Sequence, residues 1–241
     1  MPGLGTVLNV VLIILGSIIG LLFRQGMKES LKSTLMVVCG LIIIFIGLGG
    51  TIQKMFYLLD GALQMHDSMM LIISLVMGAV LGEWIDLHSK IAHFGEWLKV
   101  KTGNSEDSEF TNAFITASLT FTIGAMGVIG AIEDGIRGNY TILLVKGVID
   151  GIIVMVMCSS MGRGAMFSFI PVGVVQIIIT ILAYVSEPFI TKEAMNNLSY
   201  VGSILIFCVG LNLLWPDKIR VANLLPAIFI AMALSYVPWI P

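Results

Sequence analysis

Charged side chains are scarce in this 241-residue chain: only 12% of its residues are Asp, Glu, Lys or Arg, whereas 57% are hydrophobic. A soluble domain of this length needs far more polar surface, and the longest polar interval, 99–109, is too short to form one. The net charge of −2 provides no basic surface for nucleic acid. We therefore predict a polytopic α-helical protein whose main partner is the lipid bilayer.

Cysteines and catalytic motifs are lacking as well. The three cysteines lie within apolar runs, which excludes a disulfide framework and the spacing of a metal site. No Walker A sequence is present to drive a pump with ATP, and no HExxH or nucleophile-elbow motif indicates a hydrolase. We expect no enzymatic activity, no cofactor and no metal site.

Apolar runs of the length that crosses a bilayer recur from end to end. The first of them has neither a charged leading region nor a cleavage site, so it is predicted to be a retained span rather than a signal peptide. About eight transmembrane helices are predicted, with approximate bounds 6–23, 32–50, 69–86, 110–132, 140–160, 165–185, 199–215 and 221–238.

A less apolar segment, 84–101, separates the third and fourth runs. Its apolar residues recur at helical spacing and it carries Trp84 and Trp97, which suit the headgroup level. This pattern is typical of an amphipathic helix at the membrane interface, although a solvated linker helix would show it too.

The distribution of Lys and Arg predicts the orientation. If the N-terminus lies outside the cell, nine of the 13 basic residues fall on the cytoplasmic side and four, counting Lys146, on the outer side. The chain is therefore predicted to be a multi-pass protein of the bacterial cytoplasmic membrane with both termini outside.

Two pairs of segments suggest an internal repeat. Residues 27–48 resemble 191–211, because a Lys-Glu pair precedes a span that ends in Gly-Leu, and 69–84 can be aligned with 221–236. The predicted organisation is a single membrane domain in which two inverted three-helix repeats, 6–86 and 165–238, flank a central helical hairpin, 110–160. Inverted repeats are typical of secondary transporters, and chance similarity between apolar segments is the alternative.

The central hairpin carries charges within strongly apolar sequence. Asp150 falls near the middle of a predicted span, and Lys146 precedes it by four positions, hence on the same helical face. Ionisable groups at membrane depth usually mark ion or substrate pathways. The alternative is a permanent ion pair that only fixes helix packing.

Two further carboxylates, Glu133 and Asp134, end the fourth span. Gly124, Gly127 and Gly130 precede them and permit a helix break or a close backbone approach. A broken helix would offer its free ends to an ion, as in many transporters. Alternatively, the two carboxylates are loop residues in contact with water.

Isolated amides and small residues complete the candidate set. Gln176 and Asn212 are the amides predicted to line a pathway, and Gly147 and Gly151 form a small-xxx-small pair that permits close helix packing. Similar glycine pairs occur elsewhere in the chain. Such pairs can also form the contact between two copies of the chain in a homo-oligomer.

Four blocks of sequence carry a resemblance to a known family: GAMGVIGAIEDG (124–135), LLVKGVIDG (143–151), FSFIPVGVVQIIIT (167–180) and VGLNLLWPDKIRVANLLPA (209–227). Together they resemble the YdfK/YqgA-like uncharacterised bacterial membrane proteins, the family known as domain of unknown function 554. The resemblance implies a multi-span protein of the bacterial cytoplasmic membrane and no particular chemistry.

Two functions follow from these patterns. The first is a secondary transporter or channel for a small ion or solute, with Lys146, Asp150, Glu133 and Asp134 at or near the pathway. The second is a non-transporting scaffold or regulatory protein in which the Asp–Lys pair is structural.

Overall fold

The computed structural model describes residues 2–24, 28–59, 62–65, 68–123, 125–186, 191–215 and 218–237. Within these residues the chain is almost entirely helical, with two 3-10 turns, Arg163–Ser168 and Val221–Leu224. A short antiparallel hairpin, β1 (Phe56–Leu59) and β2 (Ala62–Met65), follows the second helix. The α-helices are α1 (Leu4–Arg24), α2 (Glu29–Met55), α3 (Ser68–Ile85), α4 (Leu87–Lys101), α5 (Phe110–Thr122), α6 (Ala125–Arg137), α7 (Thr141–Ser160), α8 (Phe169–Ser186), α9 (Lys192–Leu214) and α10 (Pro226–Leu234).

Six helical segments of the described residues are long and apolar enough to cross a membrane: Leu4–Arg24, Glu29–Met55, Ser68–Ile85, Thr141–Ser160, Arg163–Ala183 and Lys192–Leu214. A seventh crossing is formed if α5 and α6 are taken as one span bent by 58°. These segments confirm the predicted all-α membrane fold, with six or seven crossings where about eight are predicted from the sequence.

The eighth predicted span, 221–238, is absent from both counts, and the count of six also leaves out the bent fourth span, 110–132. The α-helical part of 221–238, α10, has nine residues, which reach about 14 Å at 1.5 Å per residue and so cover only half of the hydrocarbon core. Pro226 begins this helix. Proline is favoured at the first helical position because the N–H that it lacks would have no partner within the helix. The turn before α10 is held in place by Asn223, whose Oδ1 accepts a 2.7 Å hydrogen bond from the His88 backbone N–H.

The segment predicted to be an interfacial helix, 84–101, has different helix bounds in the structure. The third helix continues through Trp84, which is 84% exposed, and α4 begins only at Leu87. Between them Asp86 has a left-handed backbone (φ 52°) and caps α4 by accepting from the Ser89 backbone N–H at 3.5 Å. Hydrogen bonding to Ser89 lowers the pKa of the Asp86 carboxyl below its ordinary value.

The first and seventh helices run parallel and pack through glycines. A Cβ atom at Gly16 would overlap the carbonyl oxygen of Gly151, and one at Gly20 would overlap that of Met155. Because lipid tails are as apolar as the helix surfaces, such close van der Waals contact is a main source of helix association in a bilayer. Glycine is therefore required at both positions of α1.

Two antiparallel pairs complete the core. The second helix packs along α9, where a Cβ at Gly47 would lie 2.7 Å from the Cα of Phe207. The third packs on α10, where a Cβ at Gly78 would overlap Ala227. We call the face at which α1 begins the Gly5 side, and the face at which it ends the Arg24 side.

Candidate functional site

The seventh helix holds two charged side chains in the protein interior. Lys146 and Asp150 lie one turn apart and are only 6% and 5% exposed, and their side chains form an ion pair. Asp150 is near the midpoint of the helix, and Lys146 lies one turn before it. Two buried charges offset the energy of leaving water only while they remain paired, and removal of either would leave the other unpaired.

A cavity of about 300 Å³ reaches this pair. It lies between α2, α7, α9 and the junction of α5 with α6, and it extends towards the Gly5 side as far as Gln53, which is exposed. Its polar lining residues are Gln53, Thr120, Lys146, Asp150, Ser199 and Ser203. Its apolar lining includes Ile43, Ile46, Phe121, Ile123, Met126, Ile149, Ile153 and Ile206. The ion pair therefore borders open space rather than a fully packed interface.

The junction of α5 and α6 is a helix break beside the same cavity. The last hydrogen bond of α5 runs from the Ile123 N–H to the Leu119 carbonyl at 3.1 Å. Residues on both sides of the break, Ile123 before it and Met126 and Gly127 after it, line the cavity. A helix carries partial negative charge at its C-terminus and partial positive charge at its N-terminus. The cavity is thus flanked by helix ends of opposite polarity.

The three glycines predicted to break or tighten this helix have different positions. Gly124 lies outside the described residues. Gly127 is in the first turn of α6, where a Cβ would lie 3.3 Å from the Cε of Lys146 and 3.8 Å from the Nε2 of Gln176. Gly130 faces α7, where a Cβ would lie 2.8 Å from the Leu143 side chain. Gly127 is therefore the glycine that lets α6 approach the buried lysine.

Two buried amides lie near the ion pair, on α1 and α8. Asn9 is fully buried and faces the Asp150 carboxylate, while Gln176 is 3% exposed and close to Gly127 and Lys146. None of the four amide atoms makes a hydrogen bond of normal geometry within the described structure. A buried polar atom without a partner costs about 1–3 kcal/mol. These amides are therefore available as alternative partners for Lys146 and Asp150.

The glycines of α7 bring α1 against this site. A Cβ at Gly147 would lie 3.0 Å from the Cα of Asn9, and one at Gly151 would lie 2.9 Å from the carbonyl oxygen of Leu12. Both glycines belong to the α1–α7 contact. Their small size allows Asn9 to reach the level of Asp150.

The two carboxylates at the end of α6, Glu133 and Asp134, lie away from the cavity at the ion pair. Asp134 is fully buried at the Gly5 side, where its Oδ2 accepts a 2.9 Å hydrogen bond from the Gly5 backbone N–H and its Oδ1 has no hydrogen-bond partner. Glu133 is half-buried and pairs with the exposed Arg137 at 2.9 Å. Neither lines the cavity at the ion pair, and a part for them in the pathway stays a prediction.

The second predicted amide, Asn212, lines a separate cavity of about 140 Å³. Its side chain bonds the backbone of Ile219, accepting from the N–H at 3.0 Å and donating to the carbonyl oxygen. This cavity also contains Asn112 and Thr116 of α5, whereas Thr120, one turn further along α5, lines the cavity at the ion pair. Asn212 and Asp150 thus border two different spaces that follow one another along α5.

Lys146, Asp150 and Gln176 were predicted from the sequence as members of the site, whereas Asn9, Thr120 and the two serines of α9 were not. The signal for Asn9 is present in the chain, because it continues the small-residue stripe of Gly16 and Gly20 on α1. No comparable signal exists for Ser199 and Ser203, since their position depends on the packing of α9 against α2. Groups of three or more His, Cys, Asp or Glu side chains placed to hold a metal are absent from the described part of the chain.

Comparison with known proteins agrees with this architecture. The profile of a family described as "Protein of unknown function (DUF554)" matches residues 4–236. The chain is 31% identical over 236 residues to the uncharacterized membrane protein YdfK of Bacillus subtilis (strain 168), covering 97% of this chain and 96% of that protein. It is 24% identical over 236 residues to the uncharacterized protein YqgA of Escherichia coli (strain K12), with 96% of each chain covered. No solved structure matches significantly. The chain belongs to the DUF554 family of membrane proteins.

Proposed function

We propose that this protein is a secondary transporter or channel for a small ion or solute in the bacterial cytoplasmic membrane, with Lys146 and Asp150 at its polar site. The observation that carries the proposal is the cavity of about 300 Å³ that reaches this buried ion pair beside a broken helix. Ionisable residues inside a membrane protein characteristically line such spaces. A discontinuous helix near the bilayer midplane is likewise a common element of transporter binding sites.

The pair is suited to reversible opening because each partner has a substitute nearby. Asn9 faces Asp150, and Gln176 lies close to Lys146 across Gly127. When a solute enters the cavity and draws one charge away from the other, these amides can supply hydrogen bonds that keep the buried groups solvated. A pair with no such neighbours would open only at a prohibitive energetic cost.

A route through the protein is supported by the succession of the two cavities. The cavity at the ion pair extends towards the Gly5 side, and the one at Asn212 lies nearer the Arg24 side. They are separated by one turn of α5, between Thr116 and Thr120, and by the stretch of α9 between Ile206 and Val209. This arrangement suits a transporter in a state open towards the Gly5 side.

The predicted inverted repeats and orientation belong to the same proposal. Segments proposed as equivalent, α2 with α9 and α3 with α10, pack against each other in antiparallel fashion, as a two-fold axis in the membrane plane would require. The majority of basic residues on the Arg24 side of the predicted topology favours that side as cytoplasmic. Both termini would then lie outside.

One observation favours the alternative of a non-transporting scaffold. Lys146 and Asp150 are bonded directly to each other and nearly inaccessible, as a permanent structural pair would be. The scaffold predicts that changes to the pair affect folding or assembly and leave every flux unchanged.

The test is a flux screen with the purified protein reconstituted in liposomes. Ion-sensitive dyes and labelled solutes are compared between the wild-type protein, the Asp150→Asn variant and the Asp134→Asn variant as a matched buried-aspartate control. Transport predicts at least one flux that the wild type supports and Asp150→Asn does not. Retention or loss of that flux in Asp134→Asn tests separately the predicted part of Asp134 in the pathway. If every flux detected survives Asp150→Asn in folded protein, the proposed role of the pair is wrong.

A further inference from the structure

The charges around the cavity at the ion pair are balanced. Lys146 and Asp150 contribute one positive and one negative charge, and the other polar lining residues, Gln53, Thr120, Ser199 and Ser203, are neutral. From this balance we infer that the transported solute is a small zwitterion with an apolar body, the chemistry of an aliphatic amino acid. The inference rests on the proposed function, because it names the substrate class of the same site.

A zwitterion is the ligand that can open this ion pair without leaving a charge unpaired. A free cation could replace Lys146 beside Asp150, but the lysine would then be buried without a counter-charge, and a free anion would strand Asp150 in the same way. A zwitterion brings both charges. Its carboxylate can pair with Lys146 while its ammonium pairs with Asp150, so the number of ion pairs inside the membrane rises from one to two.

The helix break supports the zwitterion inference, because the C-terminus of α5 and the N-terminus of α6 carry partial charges of opposite sign. The first turn of α6, with Met126 and Gly127 at the cavity, presents N–H groups that have no partner within the helix. Such groups favour a carboxylate, whereas the carbonyl end of α5 near Thr120 and Ile123 favours an ammonium group. Lys146 lies against Gly127, so the positive helix end and the lysine are on the same part of the site.

The rest of the lining defines the body of the solute. Six isoleucines, one phenylalanine and one methionine surround the polar groups, so the part of the solute that carries no charge is apolar. A volume of about 300 Å³ is at the lower end of the range of ligand pockets. The cavity therefore suits a compact, branched aliphatic group better than a sugar, a nucleotide or a peptide.

The experiment is counterflow in proteoliposomes preloaded with unlabelled L-leucine. Uptake of labelled L-leucine is measured alone and in the presence of unlabelled competitors: the neutral amino acids from glycine to phenylalanine, 3-methylbutylamine as an ammonium-only analogue, and 4-methylpentanoate as a carboxylate-only analogue. We expect leucine to accumulate, the aliphatic amino acids to reduce its uptake at least tenfold, and either single-charge analogue at the same concentration to reduce it less than twofold.

A lining variant tests the apolar part of the inference separately. Ile149 lines the cavity, and the adjacent Val148 is similarly exposed and does not line it. Enlarging the cavity with Ile149→Ala should improve competition by phenylalanine relative to leucine several-fold, whereas the matched variant Val148→Ala should leave that ratio unchanged. Equal ratios in the two variants would overturn the assignment of the apolar body to this cavity.

Two negative results have different meanings. If the liposome screen finds a flux that depends on Asp150 but no neutral amino acid is taken up or competes with it, the zwitterion inference is wrong and the transporter proposal stands. If no flux depends on Asp150, both are wrong. Inhibition by the amine or the acid as strong as that by leucine would also overturn the inference, since a single charge would then be sufficient.

Discussion

Two aspartates, Asp134 and Asp150, are buried in neighbouring helices of the same central hairpin, yet their partners differ in kind. Asp134 accepts a hydrogen bond from a backbone N–H at the first turn of α1, where a negative charge complements the helix dipole. Asp150 pairs with a lysine side chain and borders a cavity. A backbone partner is held in place by its helix, whereas a long side chain can rotate away. Burial alone therefore does not distinguish the two carboxylates, and the proposed role of Asp150 depends on its side-chain partner and on the cavity beside it.

The largest effect is expected from removing the charge of Asp150 alone. Asp150→Asn leaves Lys146 charged and unpaired in the membrane interior, which should destabilise the protein by about 3–5 kcal/mol and abolish transport. Thermal unfolding in detergent and flux in liposomes measure the two effects.

The double variant Lys146→Met/Asp150→Leu separates stability from function. Replacing both charges with apolar groups of similar size is often neutral or stabilising, so this variant should unfold near the wild-type temperature and still transport nothing. Wild-type flux in the double variant would contradict a role for the pair in transport. Asp150 would then have no function in transport that Asp134 lacks.

The next largest effect is expected from disturbing the close packing of α1 on α7. In Gly16→Ala the new Cβ would overlap the Gly151 backbone, and overpacking of this kind typically costs about 1–3 kcal/mol. Because α1 carries both Gly5 and Asn9, its displacement should disturb Asp134 and Asp150 together. Thermal unfolding and flux should both decrease.

A glycine of α2 supplies the control for this substitution. A Cβ at Gly49 would meet no atom within 4 Å, so Gly49→Ala should leave unfolding and flux near their wild-type values. If the two alanine variants behave alike, close packing of α1 on α7 is not what holds the two aspartates in position.

A smaller effect is expected for Asp134→Asn. The amide oxygen can still accept from the Gly5 N–H, so the main loss is the charge at the helix N-terminus, at most about 2 kcal/mol at a buried position. Unfolding should shift slightly and flux should remain. Loss of flux in well-folded Asp134→Asn protein would place this carboxylate in the pathway, as predicted from the sequence, and the two aspartates would then not differ in function.

The smallest effect is expected for Glu133→Gln. Its partner Arg137 is 71% exposed, and exposed ion pairs of this kind contribute about 0–1 kcal/mol. Neither the unfolding temperature nor any flux should change measurably. A clear loss of flux would instead show that the rim of the Gly5 side takes part in transport.

These contrasts also show how far sequence could predict the molecule. Hydropathy alone was sufficient for the all-α membrane fold, and the spacing of four between Lys146 and Asp150 was sufficient to place them on one helical face. Both inferences depend only on residues close together in the chain. The shortness of α10 was not predictable from hydropathy, because residues 221–238 are apolar enough for a span. The α-helix nevertheless begins only after the 3-10 turn Val221–Leu224 and already ends at Leu234.

The surroundings of the two aspartates were harder to predict, because they depend on contacts between distant segments. Asp134 meets Gly5, 129 positions away in the chain, and nothing in the sequence around either residue indicates the contact. Helix surfaces in a bilayer are apolar on their lipid-facing and protein-facing sides alike, so hydropathy does not reveal which helices pack together. The glycine stripes of α1 and α7 indicated close packing but not its partner.

The interruption between α5 and α6 has a mechanical consequence. Main-chain hydrogen bonds inside a bilayer are expensive to break because no water is present to replace them, and a continuous helix would have to lose several in order to bend. Here the ladder of α5 already ends at Ile123 and that of α6 begins afresh at Ala125. A tilt of α6 away from Lys146 about this point would therefore widen the space beside the lysine without breaking a hydrogen bond inside either helix.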